Sequence, residues 1–231
     1  MAEADVSSRM TCDPWFISLE QELGRDLLSA GEPLTLRSGQ SLFRRGDKPL
    51  GFYGVVDGTL KVSTMREDGR EAVLGLLESG NWFGEVSLVD GSTRAHDVTA
   101  ISPCSLIVVG PAAFNDLMRR PLFAQAMSVL LAGRVHRLYG ALEDTMLRSL
   151  LAQVARRLLH LAQGDAVSAA SRGARTTVPV SQEVLATMLG VTRQTLSKEL
   201  RALAAAGCIV PQYGRITIIS MDKLQEFALA D

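Results

Sequence analysis

Short apolar runs broken by closely spaced glycines fill the chain from Leu34 to Gly110. The runs are "SLF", "GFYGVV", "TLKVSTM", "EAVLGLL", "HDVTAI" and "CSLIVVG". Many short β-prone runs with turn residues between them predict a compact barrel or sandwich. "EDGR", Glu67 to Arg70, predicts a hairpin turn, because Asp-Gly supplies the positive φ angles that tight hairpins need. Ahead of these runs, "PWFISLEQELGRDLLSA" has the apolar period of one amphipathic helix, Pro14 to Ala30.

The period changes after Ala113. Leu131, Val135, Leu138 and Leu142 follow one another at intervals of 4, 3 and 4. That narrow stripe predicts a long helix from Ala113 to about Met146 whose seam pairs with its twin in a dimer. A helix packed on its own core is the alternative. Ser149 is a good N-cap for a further helix, "LLAQVARRLLHLA", ending near Gln163. The small, polar stretch from Gln163 to Thr176 reads as a linker.

The last segment, Thr177 to Asp231, carries a different spacing. Ser181 can cap "QEVLATMLG"; Ala186 is small where two helices cross; Gly190 permits a left-handed turn; Val191 fills that turn; and Thr192 caps "RQTLSKELRALAAAG". This is the spacing and chemistry of a helix-turn-helix. "CIVPQYGRITIIS" adds two β runs around Gly214, a hairpin wing. The second helix of such a unit places its N-terminal side chains in the major groove of DNA. Leu196, Leu200 and Leu203 form its apolar face, while Arg193, Gln194, Ser197 and Lys198 form the polar one. Arg193 is the candidate guanine contact and Gln194 suits adenine, which needs both a donor and an acceptor. Thr192 and Lys198 suit phosphates, and Ser181 and the wing's Arg215 complete the expected DNA-binding set.

Charge supports a polyanion partner for the C-terminal half. Residues 1–111 hold 10 Lys+Arg against 16 Asp+Glu, a net of −6, and residues 112–231 hold 14 against 9, a net of +5. A head with few basic residues makes few phosphate contacts, so a symmetric dimer on a palindrome with half-sites roughly 34 Å apart is expected. Hydrophobic content of 47% is ample for a core, and no apolar run approaches the roughly 18–20 residues that span a bilayer. The polar N-terminus shows no secretory h-region, so a cytoplasmic protein is expected. Cys12, Cys104 and Cys208 are far apart and read as free thiols. Three dispersed histidines argue against a metal site. No catalytic triad spacing or P-loop is present, so an enzyme is not expected.

With these parts in order, the chain resembles the CRP/FNR family of transcription regulators from about Pro14 to its end. The resemblance rests on "SGQSLFRRGD" (Ser38–Asp47), "VVDGTLKV" (Val55–Val62), "ESGNWFGEVSLVDGSTR" (Glu78–Arg94) and "SQEVLATMLGVTRQTLSKELRALAAAGCI" (Ser181–Ile209). It implies an α+β fold: an N-terminal β-roll (double-stranded, jelly-roll-like), a long dimerisation helix and a C-terminal winged helix-turn-helix. The expected divisions are an N-terminal tail at 1–13, a β-roll effector domain at 14–112, a dimerisation helix at 113–147 and a DNA-binding domain at 148–231. The family implies a homodimer that binds palindromic double-stranded DNA and contacts RNA polymerase, with no membrane association. It also implies an effector pocket at Gly84, Glu85, Val86, Arg94 and Ala95, with Leu138 and Tyr139 on the long helix. Glu85 takes the place that accepts a ribose hydroxyl, and Arg94 the place that grips a cyclic phosphate. Ala95 stands where members that bind cyclic AMP carry a hydroxyl residue, and His96 and Asp97 also depart from the pattern. Cyclic AMP is therefore disfavoured, cyclic di-GMP is the other candidate effector, and an effector-independent β-roll held by Glu85 and Arg94 is the alternative.

Overall fold

The computed structural model describes residues 10, 13–65, 67–69, 71–163 and 176–230. Cys12, Arg70 and most of the linker after Gln163 lie outside the described residues. The chain divides into two compact units.

The first unit is a β-roll with helices on one side. Asp13 accepts from the Trp15 and Phe16 amides and so starts helix α1, Pro14–Ser18. Helix α2 is Gln21–Ser29. The single helix expected over Pro14–Ala30 is thus two, because Leu19 adopts an extended conformation between them. Eight strands follow: β1 Gly31–Leu36, β2 Ser41–Phe43, β3 Phe52–Asp57, β4 Thr59–Met65, β5 Glu71–Glu78, β6 Trp82–Phe83, β7 Asp97–Ala100 and β8 Cys104–Val109. They form two four-stranded sheets, in the orders β1-β8-β3-β6 and β2-β7-β4-β5. A short helix α3, Val86–Val89, interrupts them after β6. The expected runs all become strands. Two strands, β1 and β6, were not expected; β1 begins directly after the end of the expected helix at Ala30 and ahead of the first expected run. Residues Glu67–Gly69 form the turn between β4 and β5, with Gly69 at φ +79°.

Strand alternation decides what each side chain touches. In β3, Val55 joins Leu36, Leu60, Leu77, Val98 and Leu106 in the barrel interior. Its neighbours Phe52 and Val56 point the other way, into a cluster with Trp15, Phe16, Trp82, Phe114 and Phe123. That second cluster explains why β3 is buried on both faces. The Trp15 indole N–H donates to the Ala126 carbonyl at 2.8 Å, satisfying a polar atom that the helical layer would otherwise strand.

Helix α4, Pro111–Met118, precedes helix α5, Pro121–Leu147. The expected helix from Ala113 onward is therefore broken. Pro121 has no amide hydrogen to continue α4 and starts α5 as a first-turn proline. Phe123, Met127 and Leu130 of α5 are buried in the helical cluster of this unit.

The second unit contains the Met65–Val73 stretch, the rest of α5 from Val135, and the C-terminal segment. Helix α6 is Leu150–Gln163, with the Ser149 hydroxyl accepting from the Ala152 amide. Helices α7, Gln182–Met188, and α8, Arg193–Ala205, form the helix-turn-helix. Strands β9 Thr177–Val178, β10 Ile209–Gln212 and β11 Arg215–Ile218 make a sheet in the order β10-β11-β9. Helix α9, Met221–Leu229, was not foreseen; it packs on α6 through buried Leu224 and Ala228. Cys104 and Cys208 are free and buried, and burial pushes both thiols up from their ordinary pKa.

Candidate functional site

The recognition helix is held by caps and a left-handed turn. Ser181 Oγ accepts from the Val184 amide at 3.2 Å, and Thr192 Oγ1 accepts from the Thr195 amide at 3.2 Å. Gly190 takes φ +65°, after which the Val191 amide donates to the Ala186 carbonyl at 3.1 Å. Val191 itself is only half-buried. The Thr192 hydroxyl, expected to meet a phosphate, is engaged within its own helix turn. Leu196, Leu200 and Leu203 are buried, which turns the opposite face of α8 to solvent.

Arg193, Gln194, Ser197 and Arg201 line one open concavity together with Gln182 at the start of α7. Three of these residues were expected. Arg201 was missed as a site residue although it lies four residues beyond Ser197, on the same helical face. Gln182 carries no such signal: only the packing of α7 across α8 brings it there. Lys198 is exposed beside this face, and Arg215 is exposed on the wing, where its Nε donates to Gln212 Oε1. This surface offers guanidinium and amide groups in reach of one another, the donor and acceptor set that reads base edges.

Of the expected effector residues, Gly84, Glu85, Val86, Arg94 and Ala95 lie in the β-roll. Gly84 has φ +92°, and a Cβ there would come within 3.0 Å of the Tyr53 ring and 3.2 Å of Arg94 Nη1. Glycine suits this position because the φ strains an L side chain and a Cβ would crowd the arginine. Arg94 is 3% exposed; its Nη1 donates to the Gly84 carbonyl and its Nη2 to the Gly51 carbonyl, both at 2.7 Å. Its guanidinium lies 4.3 Å from the centre of the Phe43 ring, and Tyr53 is close by. Burial draws the Arg94 pKa down, and the Tyr53 hydroxyl opposes that shift. The backbone of Arg94 is held too, its amide donating to the Asp47 carbonyl and its carbonyl accepting from the Gly46 amide, each at 2.8 Å. Asp97 Oδ1 accepts from the Arg45 amide, so this departure from the family pattern fastens the same loop pair.

Glu85 is fully buried, and its partner is Arg134 of α5, not Arg94. Arg134 also donates through Nη2 to the Trp82 carbonyl at 2.6 Å. Arg134 was absent from the expected site, because a lone arginine in a helix reads as solvent-facing. Among the described residues, Glu85 Oε2 and Arg94 Nε have no hydrogen-bond partner. Val86 and Ala95 are exposed. A cyclic phosphate needs two free guanidinium donors in a fork and a neighbouring hydroxyl. Each terminal nitrogen of Arg94 spends one N–H on a backbone carbonyl and Nε has no partner, so donors remain for an anion, but Ala95 supplies no hydroxyl, and the set matches that group only in part.

On α5, Leu138 and Tyr139 are 70% and 68% exposed, and Val135 and Leu142 are exposed as well. Leu131, expected in the same seam, instead packs half-buried against the helical core of the first unit. Leu122, Val129 and Met146 are further exposed apolar residues on this helix. No described helix is long and apolar enough to cross a membrane.

Two family models match: the cyclic nucleotide-binding domain over residues 33–121 and the Crp-like helix-turn-helix domain over residues 152–227. The CRP-like cAMP-activated global transcriptional regulator of Mycobacterium tuberculosis (strain ATCC 25618 / H37Rv) is 26% identical over 194 residues, covering 84% of this chain and 86% of that protein. Among solved structures, FixK2 from Bradyrhizobium japonicum superposes with a TM-score of 0.75 at 18% identity, over 87% of this chain and 98% of that one. The c-di-GMP responsive global regulator CLP of Xanthomonas campestris gives 0.69 at 22% identity, over 87% and 100%. Both show the same fold: a β-rich domain, a long helix and a C-terminal helix-turn-helix.

Proposed function

The chain belongs to the CRP/FNR family of transcription regulators, and we propose that this protein is a homodimer that binds a palindromic DNA operator through paired α8 helices. The observation that carries this reading is the open concavity lined by Arg193, Gln194, Ser197, Arg201 and Gln182 beside a buried leucine face. Arg193 donates to guanine O6 and N7, Gln194 reads the adjacent pair, and Arg201 and Lys198 neutralise phosphates. The exposed stripe on α5 supports the dimer, since a bare apolar stripe of this length favours pairing with its like. RNA polymerase is the protein partner such a regulator needs. A gel shift against an operator selected with the wild-type protein tests the assignment. Arg193→Ala is expected to weaken binding by about 1–3 kcal/mol and to relax preference at one base pair. Unchanged affinity and preference would remove Arg193 from the reading set.

For the β-roll, two readings meet the same residues. In the first, a small nucleotide-like effector, of which cyclic di-GMP is the best candidate, acts in or near the β-roll. In the second, DNA binding needs no effector. The internal partners of Arg94 and Glu85 support the second, because they hold both side chains without a ligand, while the unpartnered Arg94 Nε and Glu85 Oε2 support the first. Titration calorimetry with cyclic AMP, cyclic GMP and cyclic di-GMP separates them. Heat from any of the three that vanishes in Glu85→Ala supports an effector. Silence from all three, with operator binding intact, supports effector independence.

A further inference from the structure

Helix α5 ends at Leu147 and α6 begins at Leu150, so Arg148 and Ser149 alone join them. A bare two-residue joint would let α6 swing. Around this one, the polar side chains are interlocked. Asp144, in the last turn of α5, uses both carboxylate oxygens: Oδ1 accepts from Arg148 Nε at 2.9 Å and Oδ2 from Arg156 Nε at 2.8 Å. Arg156 is on the second turn of α6. Arg148 reaches further, donating through Nη1 to the Ala228 carbonyl of α9 at 3.2 Å. Its own carbonyl accepts from Gln153 Nε2 at 2.9 Å. These side chains are largely shielded, with Asp144 14%, Arg148 21% and Arg156 26% exposed, so solvent screens the pairs less than it would on an open surface.

A second observation agrees. The second compact unit takes in α5 from Val135, midway along that helix, so the end of α5 belongs with the C-terminal segment and the joint lies inside that unit. Helix α6 packs on the recognition helix α8 and on α9. Whatever fixes α6 on α5 therefore fixes the recognition helix.

We propose that Asp144 is a positioning residue for DNA binding: its bridge to Arg148 and Arg156 locks α6 onto the end of α5 and so sets the separation and angle of the two recognition helices. This rests on the dimeric reading above. A half-site needs only one head, whereas a palindrome needs two heads at a matching distance. Loss of the lock lowers the effective concentration of the second head without altering the first.

The test is fluorescence anisotropy of the full-length protein on the selected palindrome, on the same palindrome with its centre lengthened or shortened by one base pair, and on an isolated half-site. For Asp144→Asn the expected result is a loss of about ten-fold on the palindrome, less than two-fold on the half-site, and a flatter spacing profile. Arg156→Gln, which breaks only the arm to α6, is expected to give the same pattern in weaker form. An unchanged spacing profile in both variants overturns the proposal. Parallel losses on palindrome and half-site in Arg156→Gln also overturn it, since Asp144 would then merely support the fold. The dimeric reading fails separately: a wild-type protein that sediments as a monomer, or shows no spacing optimum, sinks that reading and the role of Asp144 with it, whereas the variant outcomes above overturn the role of Asp144 alone.

Discussion

Arg94 has its two terminal nitrogens 2.7 Å from two carbonyl oxygens inside the β-roll, so removing it leaves Gly84 and Gly51 with buried, unsatisfied acceptors. Arg94→Ala is expected to destabilise this unit by roughly 2–4 kcal/mol, the loss of two charge-assisted bonds from a buried site. Arg94→Lys is expected to recover little of that, because one ammonium cannot span both carbonyls or lie flat on Phe43. Denaturant unfolding followed by tryptophan fluorescence measures this directly, since the chain's two tryptophans, Trp15 and Trp82, both belong to this unit. A wild-type midpoint in Arg94→Ala would mean that the arginine is free for a ligand. The sequence placed Arg94 and Glu85 at informative positions, but it could not say what they touch. Glu85 meets Arg134, a residue 49 positions away on a helix whose periodicity says nothing about which barrel loop lies beneath it.

At the scale of elements, the helix-turn-helix was legible because its determinants are local. A cap oxygen must stand two or three residues before the amide it meets, and a left-handed turn needs glycine at one position. Gly190 illustrates the second. Nothing lies within 4 Å of where its Cβ would be, so Gly190→Ala meets no clash and bears only the cost of φ +65°. That cost is about 1–2 kcal/mol, and Gly190→Asn should be milder. Thermal unfolding followed by far-ultraviolet circular dichroism checks both. Helix ends were less legible. The amphipathic period runs on through Leu19, where the backbone turns extended, and through Arg119 and Arg120, where Pro121 restarts the helix. The proline carried a readable signal that the apolar spacing masked. The two-residue β6 and four-residue α3 are too short to show any period.

For the whole molecule, the decisive surface is the apolar stripe on α5. Leu138→Asp combined with Leu142→Asp puts charges where like helices would meet. The variant is expected to sediment as a monomer and to lose about 100-fold or more in palindrome affinity while keeping half-site binding. Both residues are exposed, so each unit should stay folded. A dimer that survives this double change would move the interface elsewhere. The expected seam also included Leu131, and here spacing alone misled: Leu131 fits the 4-3-4 pattern but packs toward the core of the first unit. A stripe of leucines records that a face is apolar, not which of two neighbours covers it.

Local rules written into the chain determined the strand runs, the caps at Ser149, Ser181 and Thr192, the turn at Gly190 and the polar face of α8, because each depends on residues within a few positions of one another. Tertiary structure alone decided the pairing of Glu85 with Arg134, the enclosure of Arg94 by Gly51, Gly84 and Phe43, the arrival of Gln182 beside Arg193, and the bridge from Asp144 to Arg156. Those contacts join separate elements, and no periodicity within one element specifies which side chain of another will meet it. The residues proposed to recognise DNA are therefore readable from the sequence, while those that hold the β-roll and those proposed to aim the reading heads become visible only once the elements are packed.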